Sequence, residues 1–449
     1  MNPAAAALEP AAAPRPLRQR FGALDGVRYG LLGFPLAFCA LPLYVLMPNL
    51  YARQLGVPLA ALGAVLLAAR LLDAVLDPWL GRVCDRLFAK SAGAVLVFGA
   101  AAALILGLGF AGLFLPPLQD PSALLWWAGG CLLVTYTAYS ALAVAHQSWG
   151  AMLGGDASQR SRIVAWREGL GLAGVLLAAI TPAVLGMPAL LTLLLASLGL
   201  GWWAWTRAPR PPLPAGDPAP GPSSAAEPAG AIGSLWRPWR NRSFRRLLAV
   251  FMLNGIASAI PATLVLFFVQ DRLQASVAIE SASLGLYFLS GALSMPLWLR
   301  LVRRVGLERS WLAGMMLSIL VFLGASQLGA GDQALFLLVC ALSGTALGSD
   351  LALPAALLAG LTAQAGDRGR ADGVYFGWWN FAGKLNLALA AGLALPLLGL
   401  LGYAPGARDA QALQLLSAAY CLLPCALKAL AGAALYFLLI QPAARPQPP

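Results

Sequence analysis

Charge is the scarcest thing in this sequence. Of 449 residues only 11% are Asp, Glu, Lys or Arg, and 60% are hydrophobic, whereas an average soluble domain is about 25% charged. So few charges cannot coat a soluble surface of this size, which excludes a soluble globular enzyme. The apolar excess excludes a disordered chain. Histidine occurs once, at His146. The six cysteines (Cys39, Cys84, Cys131, Cys340, Cys421, Cys425) all stand in or beside apolar runs and suggest no disulfide framework. Cys421 and Cys425 are one helical turn apart, a spacing a metal could use, but no other Cys or His is near and packing is the simpler reading. No GxxxxGK[ST] phosphate loop is present, which speaks against an ATP-driven pump. The opening MNPAAAALEPAAAP lacks a basic region ahead of an apolar core, so it reads as a disordered tail and not a signal peptide.

What is abundant is apolar runs of about 20 residues, each long enough to cross a hydrocarbon core of ~30 Å. Twelve can be placed, at roughly 28–50, 57–81, 92–115, 123–150, 162–185, 187–206, 246–268, 280–300, 311–328, 333–360, 372–400 and 411–440. Between the sixth and seventh runs APRPPLPAGDPAPGPSS marks a Pro-rich linker that cannot pack. The expected architecture is an all-α membrane protein of twelve transmembrane helices. Its parts are a tail over 1–27, a six-helix bundle over 28–206, a linker over 207–245, a second bundle over 246–440 and a tail over 441–449.

The net charge of +12 belongs to orientation, not to a nucleic-acid partner. With the N-terminus in the cytoplasm, the tails and the even-numbered loops hold 24 of the 30 basic residues. The opposite loops hold Arg53, Arg272 and Arg408, and Arg70, Lys384 and Lys428 fall inside helices. That asymmetry places both termini in the cytoplasm. A weak repeat relates the halves. Pro42 and Arg53 are eleven residues apart, as are Pro261 and Arg272, and Leu62-Gly63 and Leu284-Gly285 then open the next helices. Repeated six-helix halves are a common plan of secondary transporters, with the site near the midplane.

Charges inside a bilayer are expensive and therefore functional suspects. The second run contains RLLDAVLDP, with Arg70, Asp73 and Asp77. On a helix these fall within about 60° of one another. One Arg and two Asp leave a net negative charge, suited to a proton or a monovalent cation. An internal ion-pair network that only locks helices would need no second carboxylate. Aligning Gly63 with Gly285 sets Asp73 against Met295 and Asp77 against Leu299, so the repeat itself does not require the charges. Next comes GRVCDRLFAK, with Gly81, Asp85, Arg86 and Lys90 in a GxxxDRxxxK spacing, expected to be a gating loop between helices two and three. An ordinary basic loop is the alternative.

That spacing resembles the signature loop of the major facilitator superfamily. Within it the chain resembles the glycoside–pentoside–hexuronide cation symporters, the melibiose-carrier group. The resemblance rests on Tyr29-Gly30, on RLLDAVLDPWLG (70–81), on DASQRSRIVAWRE (156–168) with Arg160, Arg162 and Arg167, and on GRADGVYFGWWNFAGKL (369–385). It implies that Asp73 and Asp77 are cation-site carboxylates, that Lys384 is their neighbouring positive charge and that Ser140 is a hydroxyl ligand. The departures are Leu76 where the family often has Asn, Leu36-Ala37 where the melibiose carrier has a Lys-Asp pair, and Ala143 where it has an Asp. Na⁺ wants several oxygen ligands, whereas a proton needs one buried carboxylate beside a like charge. The loss of an oxygen at Leu76 therefore favours H⁺ over Na⁺.

Further candidates lie elsewhere. His146, Gln147 and Trp149 could line a substrate cavity, although a structural His is an equal reading. Tyr375, Trp378, Trp379 and Asn380 could stack on and bond a solute, or anchor the helix at the membrane interface. Asp350 and Lys428 are further intramembrane charges, and Glu168 stands beside Arg167. The expected function is cation-coupled transport of a small organic solute, a sugar or glycoside by resemblance, in a bacterial inner membrane. The expected partners are the solute, the coupling ion and the lipid, with no metal site or other cofactor, no nucleic acid and a monomeric state. An amphipathic lipid-like or drug-like solute is the alternative within transport, and a non-transporting scaffold or receptor the alternative outside it. A membrane enzyme is disfavoured, since no nucleophile–base pair or metal cluster is visible.

Overall fold

The structure, a computed structural model, describes residues 21–212, 235–400, 402–403 and 406–441. Most of the expected tails and of the expected linker lie outside those residues, but the end of the first expected tail does not: Phe21 is buried and the chain is helical from Ala23. Among the described residues every regular element is helical. Among the described residues nine helices are long and apolar enough to cross a membrane by length and composition. The three other expected spans are the fragmented first helix and two helices that carry the charged motifs.

The first helix begins as α1 (Ala23–Gly30) and α2 (Gly33–Leu41), then continues through π-helical turns at Pro42–Leu46 and Leu50–Gln54. Pro35, Pro42 and Pro48 explain the breaks. Each lacks the N–H of the regular ladder, so the register slips. The seventh span also ends in a π-turn, at Phe268–Arg272. The chain reverses identically at both places. Leu55 N donates to Leu50 O and Val57 N to Tyr51 O, while Leu273 N donates to Phe268 O and Ala275 N to Val269 O. The weak sequence repeat is thus matched by a repeated backbone pattern.

The remaining helices are α3 (Leu59–Lys90), α4 (Ala92–Phe114), α5 (Pro121–Leu153), α6 (Ala157–Val184) and α7 (Met187–Thr206). After the linker come α8 (Arg237–Arg240), α9 (Arg242–Phe267), α10 (Val277–Val305), α11 (Leu307–Ala325), α12 (Gln333–Gln364), α13 (Asp372–Leu400), α14 (Ala410–Ser417) and α15 (Leu423–Leu435). Side-chain oxygens of Ser91, Asp120, Asp156, Asn241 and Asp409 accept first-turn N–H groups and set five of the helix starts. Two expectations need correction. GRVCDRLFAK is the last part of α3 and not a loop, because nothing after Gly81 breaks the helix until Ser91 caps α4. The linker was expected to run unpacked to residue 245, yet it packs from Leu235 onward, where Trp236 and Trp239 give it apolar surface.

Apolar side chains gather into three clusters. One is built from residues 21–208, one mostly from 244–435, and one from 259–421. The halves meet along α3 and α13, where two backbones touch. A Cβ on Gly81 would lie 2.1 Å from the Gly373 carbonyl oxygen, a Cβ on Gly373 the same distance from that of Gly81, and a Cβ on Gly377 2.5 Å from that of Asp77. Gly373→Val should therefore pry the two helices apart. Overpacking of this kind costs about 1–3 kcal/mol. The expected result is a lower melting temperature in detergent, with Gly373→Ala falling between variant and parent.

Candidate functional site

The backbone contact places one long side chain. From α13, Lys384 reaches across to α3, where its Nζ lies 2.6 Å from Asp73 Oδ2, 2.8 Å from Asp77 Oδ2 and 2.9 Å from Asp77 Oδ1. It also donates to Ser140 Oγ on α5 at 2.8 Å, and Ser140 Oγ donates in turn to Asp73 Oδ1 at 2.7 Å. Asp73 and Asp77 share a face because four residues are little more than one helical turn. Asp77 is fully buried and Ser140 nearly so, while the Lys384 side chain keeps 25% of its surface open. The ammonium ion stands where a cation between two carboxylates would stand.

Arg70 is not one of these contacts. It is exposed on α3 and lies beside Tyr136 of α5. The bonded cluster of Asp73, Asp77 and Lys384 therefore carries a net −1, and Arg70 along the helix brings the neighbourhood to zero.

Below the cluster, toward the end bearing the basic loops, the halves are tied at helix termini. Asp85 accepts the N–H of Gly373 at 2.6 Å and of Val374 at 3.0 Å, filling the free donors at the start of α13. In the opposite direction Arg368 lies over the end of α5 and donates to Met152 O at 2.7 and 3.2 Å. The C-cap Gly154, at φ +69°, leaves room for it, since a Cβ there would overlap the guanidinium. Arg86 and Lys90 are exposed and outside these contacts. Asp367 accepts from Arg237 at 2.5 and 2.8 Å and from the Tyr375 hydroxyl at 2.9 Å, and the first of these bonds raises the Arg237 pKa further above its usual range.

The aromatic candidates separate. Tyr375 belongs to the Asp367 contact, Trp378 donates to Leu235 O at 2.8 Å and packs on Trp236 and Trp239, and Trp379 stacks on Phe251 at 3.8 Å. Asn380 is half-buried on α13. Trp149 is in the core of the first half, bonded to Pro209 O and packed between Phe88 and Trp205. His146 is fully buried; its Nε2 lies 2.8 Å from Tyr29 O, and the Tyr29 hydroxyl donates to His146 O.

Trp378 borders a cavity against Trp79, Leu235 and Trp236, whereas Gln147 and His146 border a different one. A cavity with about 470 Å³ of empty volume lies between α2, α5 and α6, lined by Leu36, Ala37, Tyr139, Gln147, Arg167 and Glu168 among others. Arg167 and Glu168 form an ion pair at 2.5 Å. Gln147 Oε1 and His146 Nδ1 are buried there without a hydrogen-bond partner among the described residues. Asp350 and Lys428 pair with each other at 2.8 Å inside the second half.

Sequence reasoning missed Arg368, Asp367, Gly373 and Gly377. The glycines had a readable signal, since Gly373 and Gly377 form a GxxxG step of the kind that brings membrane helices into close contact. Arg368 and Asp367 are ordinary loop charges in sequence and offered none.

A multi-pass bundle whose halves meet at a buried, charge-compensated seam has the design of a membrane transporter. The sequence matches the family described as MFS/sugar transport protein over residues 26–441, and the chain belongs to that family. It is a transporter of the major facilitator superfamily and not an enzyme. No curated protein matches it. Among solved structures it resembles the E. coli fucose:proton symporter FucP, at TM-score 0.64 and 15% identity over 92% of this chain and 97% of that one. It also resembles a bacterial homologue of the iron transporter ferroportin in an outward-facing state, at TM-score 0.64 and 16% identity over 94% and 99%. At these identities the likeness is one of fold.

Removing Lys384 should leave two carboxylates facing each other in a dry seam. Breaking a buried pair from one side typically costs about 3–5 kcal/mol. Lys384→Met is expected to lower thermal stability markedly, and the triple variant Asp73→Asn/Asp77→Asn/Lys384→Met to recover most of the loss.

Proposed function

We propose that the protein is a cation-coupled secondary transporter of a small organic solute, working by alternating access in a bacterial inner membrane. Both termini are cytoplasmic, so the Asp85 and Arg368 contacts close the cytoplasmic side. The observation that carries the reading is Lys384 Nζ held between Asp73 and Asp77 across the two halves. An ion that binds the two carboxylates competes with Lys384, so occupancy of the site and contact between the halves are linked. A ligand shifts such an equilibrium only by its differential affinity for the two states, and competition with a built-in ammonium supplies that difference.

H⁺ is favoured over Na⁺. Ser140 and the two carboxylates offer oxygens, but Leu76 supplies none, and a proton needs only one of them. A fucose:proton symporter among the fold relatives agrees with this choice. The solute site is the cavity between α2, α5 and α6, where Arg167, Glu168, Gln147 and Tyr139 provide polar contacts. It takes a sugar or glycoside with few polar groups, because Leu36, Ala37 and Ala143 line the same cavity. Those three apolar residues also favour the second reading, an amphipathic solute.

The test has two stages. A panel of sugars, glycosides and amphipathic solutes is screened by thermal shift at two pH values, with and without Na⁺. The ligand found is then driven into proteoliposomes by a pH or Na⁺ gradient. Asp73→Asn and Asp77→Asn are each expected to abolish cation-driven accumulation while counterflow persists. Unchanged accumulation in both variants sinks the coupling role.

A further inference from the structure

A cavity with about 920 Å³ of empty volume lies inside the second half, between α9, α10, α11, α12 and α15. That figure includes space open at the cavity mouth; the part that water-sized bodies can occupy is about 180 Å³, room for one small ligand. All its lining residues fall between Ala257 and Lys428, so it shares nothing with Asp73, Asp77 and Ser140. It includes residues of α11 and of the last span, away from the α3–α13 seam.

Its charged residues are Asp350 and Lys428. Asp350 accepts from Lys428 Nζ at 2.8 Å, from Trp311 Nε1 at 3.0 Å and from Ser258 Oγ at 3.3 Å. Lys428 also donates to Asn254 Oδ1 at 2.8 Å. The carboxylate thus accepts three hydrogen bonds of the roughly four its lone pairs allow, while an ammonium ion has three N–H donors and only two are used. The pair is neutral as a unit, which disfavours a charged ligand, and it offers one ammonium donor beside a carboxylate that is mostly occupied. The walls are apolar in effect. Tyr287, Phe288, Phe322 and Tyr420 line it, and the hydroxyls of Ser283 and Ser343 are turned back onto their own helices, to Glu280 O and Cys340 O.

We infer that this cavity is a second ligand site, for an uncharged molecule with an apolar body and a single hydrogen-bond-accepting head, held by Lys428. A medium-chain alcohol has that chemistry. The inference does not depend on the coupling role of Asp73 and Asp77.

The experiment uses the full chain in nanodiscs, photolabelled with a diazirine-bearing decanol and mapped by peptide mass spectrometry. Label is expected on α10 and α12 next to Tyr287 and Ser343, competed by unlabelled decanol. It should disappear in Ala346→Trp and in Leu347→Trp, two separate fillings of the cavity, so that a folding failure in one leaves the other to decide. The neutral double variant Asp350→Asn/Lys428→Met should bind about tenfold more weakly, the value of one charge-assisted hydrogen bond in apolar surroundings. Saturable label that survives in a folded filling variant overturns the site. So does label found only on the exposed Leu293 and Leu297 without competition, which is partition into lipid, or the absence of saturable label.

Discussion

A lysine from one half of the chain bridges a carboxylate pair from the other, and the seam is arranged around that contact. Two acids one turn apart on a membrane helix repel each other and resist burial. Asp77 is nonetheless fully buried, because Lys384 supplies the donor that water would otherwise give, while Ser140 donates to Asp73. The reach of a lysine is limited, so α3 and α13 have to approach closely. Gly81, Gly373 and Gly377 allow that approach by removing every Cβ from the line of contact. Backbone packing and charge compensation are therefore one arrangement: the glycines set the distance, and the lysine occupies it.

The other intramembrane polar groups are kept apart from this seam. His146 and Trp149 serve the core of the first half through Tyr29, Pro209 and Trp205. Asp350 and Lys428 satisfy each other within the second half. These groups do not bridge the halves, which meet along α3 and α13 and where α6 packs against α10 and α12.

Much of this was legible in the sequence, for identifiable reasons. Hydrophobic length located the spans, since the bilayer thickness dictates it. The pair Asp73 and Asp77 could be read from helical periodicity and from the rarity of charge in lipid. That Lys384 meets Asp73 rests on a separation of more than 300 residues, which no local pattern encodes; only family resemblance pointed there. That Arg70 lies beside Tyr136 was hidden because periodicity gives a face and not a partner. Trp149 looked like a cavity residue because aromatic side chains suit cores and cavities alike, whereas His146 both bonds Tyr29 in the core and borders the cavity. The helical course of residues 82–90 was masked by their charge, which reads as a loop although nothing in it stops a helix.

The two ties between the halves differ in what can replace them. When Asp85 leaves the first turn of α13, the N–H groups of Gly373 and Val374 can be rehydrated by bulk water, because they lie at the end of a helix. When Lys384 leaves Asp77, no solvent stands ready at a fully buried carboxylate. One tie behaves as a reversible clasp, open to anything with lone pairs. The other sits at a fully buried carboxylate, where whatever replaces the ammonium ion has to meet the charge of Asp77 without help from water. The molecule therefore separates the question of whether its halves can part from the question of what allows them to.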